Sequence, residues 1–72
     1  MNRYAIIVLW SEADGGWIAD ATDLKSCSAF GASPEEAVIE LRVAMEAWLE
    51  AARAVGHPIP PARYQPHHEA AE

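Results

Sequence analysis

The sequence predicts an α+β domain in which a three-stranded antiparallel meander is followed by one long amphipathic helix. The first 31 residues hold three short segments rich in β-branched, aromatic or small residues, separated by polar and glycine-containing turns. From about residue 34 the apolar residues instead recur every three or four positions, which is the helical period. Because strands joined by short links usually pair with each other, we expect a β-β-β-α order with the helix packed across the sheet.

The first predicted strand, Tyr4–Trp10, is apolar on both of its faces. A strand with one solvated face normally alternates apolar and polar residues, so the pattern indicates that both faces are covered. One helix can cover only one face. We therefore expect a homodimer or higher assembly, in which another copy of the chain lies at the strand edge or over the second face. The predicted oligomer interface consists of Ala5, Ile7 and Leu9.

A hairpin and a second short link define the other two strands. Asp14-Gly15 is a strong hairpin signal, because glycine accepts a positive φ without steric cost. The second predicted strand is Trp17–Ala21, and a polar connection then leads to a third strand at Cys27–Phe30. Gly31 ends that strand.

The helix has clear start and stop signals. Ser33 is a good N-cap, Pro34 suits the first helical position, and Glu36 completes a capping box with Ser33. Gly56 is a typical C′ residue, so the helix is predicted over about Pro34–Val55. Its predicted buried stripe consists of Val38, Leu41, Met45, Trp48 and Ala52, widened by Ile39, Val43 and Ala47.

Length and charge restrict the possible functions. A chain of 72 residues forms one domain, and its core alone supplies only about 3–5 kcal/mol of stability. Cys27 is the single cysteine, so no internal disulfide can add to this. The net charge of −6 disfavours direct binding to nucleic acid and favours a basic protein partner, although it also serves solubility. Lacking a targeting or membrane-spanning segment, the chain is expected in the cytoplasm.

Four carboxylates, Glu12, Asp14, Asp20 and Asp23, lie close together in the sequence. Such a group can hold a divalent metal or act as acid and base. Asp14 and Asp23 fall in predicted turns, where aspartate is common for local reasons. We therefore favour a partner-binding surface made of these four residues and Trp17, with no metal, no cofactor and no catalytic activity.

Cysteine and histidine residues offer weaker candidates for chemistry. Cys27 lies among small residues, which is typical of a buried thiol rather than a nucleophile. His67 and His68 are adjacent, but they belong to residues 62–72, which we expect to form a disordered acidic tail after a domain over residues 1–61.

The order of several short motifs resembles the HicB-like antitoxin family. The matching features are an apolar opening strand, a D-G-G-aromatic turn, a D-L segment before a cysteine, an S-x-E-E-A helix start and a G-x-P-I-P end. The residues that carry them are Asp14, Gly15, Gly16, Trp17, Asp23, Leu24, Cys27, Gly31, Ser33, Glu35, Glu36, Ala37, Gly56, Pro58, Ile59 and Pro60. The family's prolines and glycine around the cysteine are replaced here by Thr22, Lys25 and Ser26.

The resemblance implies a HicB-like, partial ribonuclease H-like fold and an antitoxin role. Family members bind a small basic HicA-type toxin, which cuts mRNA, and cover its active surface. Many also carry a DNA-binding domain, which we do not expect within this chain, because only residues 62–72 follow the matching region. Two alternatives stay open: a stand-alone oligomeric HicB-like domain that acts as a scaffold or ligand binder, and a metal-dependent nuclease that uses Asp20 and Asp23.

Overall fold

The computed structural model describes residues 3–63 and confirms the predicted β-β-β-α fold. The strands are β1 (Ile6–Ser11), β2 (Gly16–Ala21) and β3 (Ser28–Gly31), and the helix is α1 (Pro34–Ala54). β2 lies in the centre of the sheet and pairs antiparallel with both neighbours. The meander therefore leaves β1 and β3 as its two edges.

The strand and helix boundaries differ from the predicted ones by one or two residues. β1 begins at Ile6 rather than Tyr4, β3 runs one residue further along the chain than predicted, and α1 ends at Ala54 rather than Val55. The shift at β1 is accompanied by a contact outside the sheet, since the Tyr4 hydroxyl donates a hydrogen bond to the Pro60 carbonyl. The apolar sequence pattern carried no information about that contact.

The start of α1 is capped from both directions. The Ser33 hydroxyl accepts a hydrogen bond from the Glu36 backbone N–H at 3.1 Å, as the capping box predicts. The Glu36 carboxylate reaches back and accepts from the Ala32 N–H at 2.7 Å, one residue before the cap. Two of the donors around the helix start are thereby satisfied.

The end of α1 has the paired hydrogen bonds of a Schellman motif. The His57 N–H donates to the Ala52 carbonyl at 2.8 Å, and the Gly56 N–H donates to the Arg53 carbonyl at 3.2 Å. Gly56 has a φ of +74°, which glycine adopts without penalty. The predicted glycine stop is therefore confirmed.

The core lies between α1 and the inner face of the sheet. The residues that are buried or nearly so are Ala19, Ala21, Leu24, Cys27, Ala37, Leu41, Met45 and Ala52. The prediction that Ala47 widens the buried stripe is wrong, because this residue is exposed. The same prediction for Ile39 and Val43 is also wrong, because these side chains are 62% and 64% exposed. At about 100° per residue, each lies roughly 160° away from Leu41 around the helix, on the opposite side.

The helix lies very close to the sheet at Gly31. A Cβ atom at this position would lie 2.3 Å from the backbone nitrogen of Ala37, so only glycine fits. α1 consequently packs mainly on β3 and β2 and reaches β1 less closely. This offset leaves space beside β1 on the helix side of the sheet.

The segment after α1 returns to the end of the sheet at which β1 begins and β2 ends. Besides the hydrogen bond between Tyr4 and Pro60, the Arg63 N–H donates to the Asp23 carboxylate at 2.9 Å. Most of the predicted tail, including His67 and His68, lies outside the described residues.

Candidate protein-binding surface

The face of the sheet that points away from α1 is apolar. Leu9, Ile18 and Phe30 lie side by side across the three strands, because Leu9 pairs with Ile18 and Ile18 pairs with Phe30. Leu9 is 47% exposed, Phe30 is 48% exposed, and Ile7 extends the patch along β1. We call these four residues the outer sheet face. An exposed group of large apolar side chains on a small domain is typical of a protein-interaction site.

One carboxylate lies within this surface. Asp20 pairs with Ile7 on one side and with Ser28 on the other, so it belongs to the same face. Within residues 3–63 no hydrogen bond or ion pair engages its side chain. A half-buried carboxylate beside exposed apolar groups is suited to meet a cationic side chain of a partner.

Asp20 also acts on the neighbouring thiol. Burial raises the pKa of Cys27, and the negative charge of Asp20 raises it further. The thiol is therefore protonated at neutral pH and is not a nucleophile there. This agrees with the sequence interpretation of Cys27 as a buried residue.

Glu12 and Asp14 lie in the β1–β2 turn and make local hydrogen bonds. The Ser11 hydroxyl donates to the Asp14 carboxylate at 2.8 Å and accepts from the Asp14 N–H at 3.3 Å. The Trp10 indole N–H donates to Glu12 at 3.3 Å. Asp14 thus stabilises the hairpin turn, and both carboxylates lie at the opposite end of β2 from Asp20.

The remaining two predicted partner-binding residues lie elsewhere. Trp17 is on the helix side of the sheet, where its ring meets the Trp10 ring edge-to-face with centroids 5.5 Å apart. Asp23 accepts the Arg63 N–H beyond the end of β2. The structure therefore does not bring the five residues into one surface. Of the five, Asp20 alone lies on the same side of the sheet as the four residues of the outer sheet face.

The predicted oligomer interface is split in a similar way. Ile7 and Leu9 are exposed on the outer sheet face, as their alternation in β1 predicts. Ala5 precedes β1 and is half-buried, and its carbonyl accepts the Thr22 N–H at 3.4 Å. Phe30 was not singled out from the sequence. The register of β3 against β2 would have revealed it, because that register places Phe30 beside Ile18.

The described residues show neither a metal-binding cluster nor a membrane-spanning helix. Among residues 3–63, no three histidine, cysteine or acidic side chains are grouped closely enough to hold a metal ion. The helix within that range is not apolar enough over a sufficient length to cross a membrane.

No protein-family model matches the chain, and no curated protein or solved structure matches it either.

Proposed function

We propose that this chain is a HicB-like antitoxin that binds and neutralises a small basic HicA-type toxin. The observation that carries the proposal is the outer sheet face, whose exposed apolar side chains lie beside the carboxylate of Asp20, which no hydrogen bond or ion pair engages within residues 3–63. The order of the D-G-G-W turn, the cysteine segment and the S-x-E-E-A helix start supports the same proposal through the family resemblance. The β-β-β-α architecture is the one that this resemblance implies.

The proposed mechanism is occlusion of the toxin and requires no catalysis by this chain. Burial of Leu9 and Phe30 against the toxin removes apolar surface from water and supplies most of the binding free energy. Asp20 pairs with a lysine or arginine of the toxin and sets the orientation of the complex. The net charge of −6 attracts a basic partner over a longer range and accelerates the encounter at low salt.

The first test is recovery of the partner at low ionic strength from the cells that produce the chain, with native mass spectrometry of the complex. We expect a stoichiometric complex with a small basic protein that cleaves RNA. Recovery of the chain without such a protein would contradict the antitoxin proposal. It would favour the stand-alone oligomeric domain instead.

A matched pair of charge reversals then tests the surface itself. Asp20→Lys and Glu50→Lys change the net charge equally, but Glu50 is exposed on α1, away from the outer sheet face. We expect Asp20→Lys to slow association with the recovered toxin by about tenfold at low salt and Glu50→Lys to have a much smaller effect. Equal effects of the two variants would show that only the total charge matters.

A further inference from the structure

Within the described residues, β1 is an edge strand that lacks the usual protection against pairing with another strand. β1 lies at one side of the sheet, and within residues 3–63 no further strand pairs with it. Its six residues, IIVLWS, include no proline and no charged side chain, which are the usual devices against edge-to-edge pairing. The backbone N–H and C=O groups along this edge can therefore accept another strand.

An apolar groove lies beside the same strand on the helix side. Its volume is about 440 Å³, and it is lined by Val8 of β1 and by Pro34, Val38 and Ile39 of α1. Glu35 and Arg42 also line the groove and carry opposite charges at its two ends along the helix. The groove exists because α1 packs mainly on β3 and β2 and leaves the helix side of β1 incompletely covered.

We propose that a second copy of this chain occupies both features at once. The two β1 strands pair antiparallel about a twofold axis at Val8, so that the two sheets become one sheet of six strands. The two helices then lie on the same side of this sheet, and each fills the groove of the other. This proposal stands whether or not the chain binds a toxin.

The charges of the groove are self-complementary under this symmetry. A twofold axis reverses the direction of the second helix, so the N-terminal end of one groove faces the C-terminal end of the other. Glu35 of one protomer thereby comes opposite Arg42 of its partner, and the pair occurs twice. A parallel arrangement would instead bring like charges together.

The same axis determines which residues meet on the outer sheet face. With Val8 opposite Val8 of the second copy, Ile7 lies opposite Leu9 of the second copy. These two residues belong to the interface predicted from the sequence. The joined sheet thus extends the apolar surface across the dimer.

The charge pairs are tested by sedimentation of the purified chain and three variants over a range of concentrations. We expect the wild type to form a dimer of twice its 7.8 kDa mass. Arg42→Glu should raise the dissociation constant about tenfold, because it places like charges opposite each other at two sites. Arg53→Glu changes the net charge equally outside the groove and should have a much smaller effect.

Reversing the charges of both Glu35 and Arg42 distinguishes loss of the charge pair between protomers from damage to the fold of each protomer. The double variant Glu35→Arg/Arg42→Glu restores opposite charges across the axis and should recover dimerisation. A wild type that stays monomeric at all concentrations would overturn the proposal. Equal weakening by Arg42→Glu and Arg53→Glu, or no recovery in the double variant, would also overturn the proposed arrangement.

Cysteine cross-linking tests the register of the two strands independently. Under mild oxidation, an equimolar mixture of Ile7→Cys and Leu9→Cys should form a disulfide-linked dimer, because the two positions lie opposite each other. Each variant alone should not, because like positions are then offset along the strands. Cys27 is buried and does not compete. Cross-linking of each variant alone as efficiently as the mixture would contradict this register.

Discussion

The Gly31→Ala substitution tests the packing of α1 against the sheet, on which the position of every surface described above depends. A Cβ at residue 31 would lie 2.3 Å from the nitrogen and 2.8 Å from the Cα of Ala37. Both are backbone atoms of the first helical turns and cannot rotate away. The start of α1 must therefore move off β3, and such overpacking costs about 1–3 kcal/mol.

This cost is large for so small a domain. If the core supplies only about 3–5 kcal/mol, a cost of about 2 kcal/mol, in the middle of the expected range, removes roughly half of the stability. With a urea dependence of about 1 kcal/mol per molar for a chain of this size, the unfolding midpoint should fall by about 1–3 M. Tryptophan fluorescence reports the transition, because Trp17 and Trp48 are partly buried against the core.

Gly16→Ala provides the matched control. A Cβ there would also meet an atom at short range, 2.4 Å away, but this atom is the tip of the exposed Phe30 ring. The backbone atom near it, the Gly31 carbonyl oxygen, would lie 3.0 Å away, which is tight but requires a much smaller shift than the contact at Gly31. The ring can rotate aside, so we expect a loss below about 1 kcal/mol. The packing argument is refuted if Gly31→Ala unfolds at the same urea concentration as the wild type, or if the two alanine variants are equally destabilised.

Three further predictions concern single contacts. Ser33→Ala removes the acceptor for the Glu36 N–H and should lower the free energy of unfolding by about 1 kcal/mol in urea titrations, whereas Ser33→Asp should retain most of it. The Cys27 thiol should react with a disulfide reagent at pH 8 far more slowly in the folded chain than in urea. Asp20→Asn should make the two reaction rates more similar, because the charge of Asp20 contributes to the raised pKa of the thiol. Equal reaction rates in the folded and urea-unfolded wild type would contradict the buried, protonated thiol. Asp23→Ala removes the acceptor of the Arg63 N–H and should accelerate tryptic cleavage after Arg63, which Asp14→Ala should leave unchanged.

The helix shows how far local sequence signals reach. Its capping box and its glycine stop were predicted because each depends on residues within one turn of the helix end. The buried side was predicted less well. An apolar stripe that included Ile39 and Val43 was too wide to define one orientation, and the sheet selected the side centred on Leu41.

The candidate surface was only partly predictable for a related reason. The alternation of Ile7 and Leu9 in β1 is visible in the sequence, but the position of Phe30 depends on how β3 pairs with β2. The connection between these strands includes Ser26 with a φ of +57°. Non-glycine residues rarely adopt a positive φ, so the sequence does not predict this turn. The carboxylates near the turns were close in sequence, yet β2 separates them in space.

The proposed toxin contact and the proposed dimer contact depend on different charged residues of one small domain. Asp20, Ile18 and Phe30 lie on β2 and β3, whereas the charged dimer contacts lie at the groove beside β1. Ile7 and Leu9 of β1 belong to both surfaces. Arg42→Glu should therefore weaken the dimer without reversing a charge at the proposed toxin contact. Asp20→Lys should weaken toxin binding without reversing a charge in the groove of the dimer.

The most direct test of the antitoxin proposal is a titration of RNA cleavage by the co-purified small basic protein with increasing amounts of this chain. The proposal predicts that cleavage falls to background at one chain per toxin, and that Asp20→Lys requires a clear excess while Glu50→Lys does not. Cleavage that continues unchanged at a large excess of the chain would contradict it.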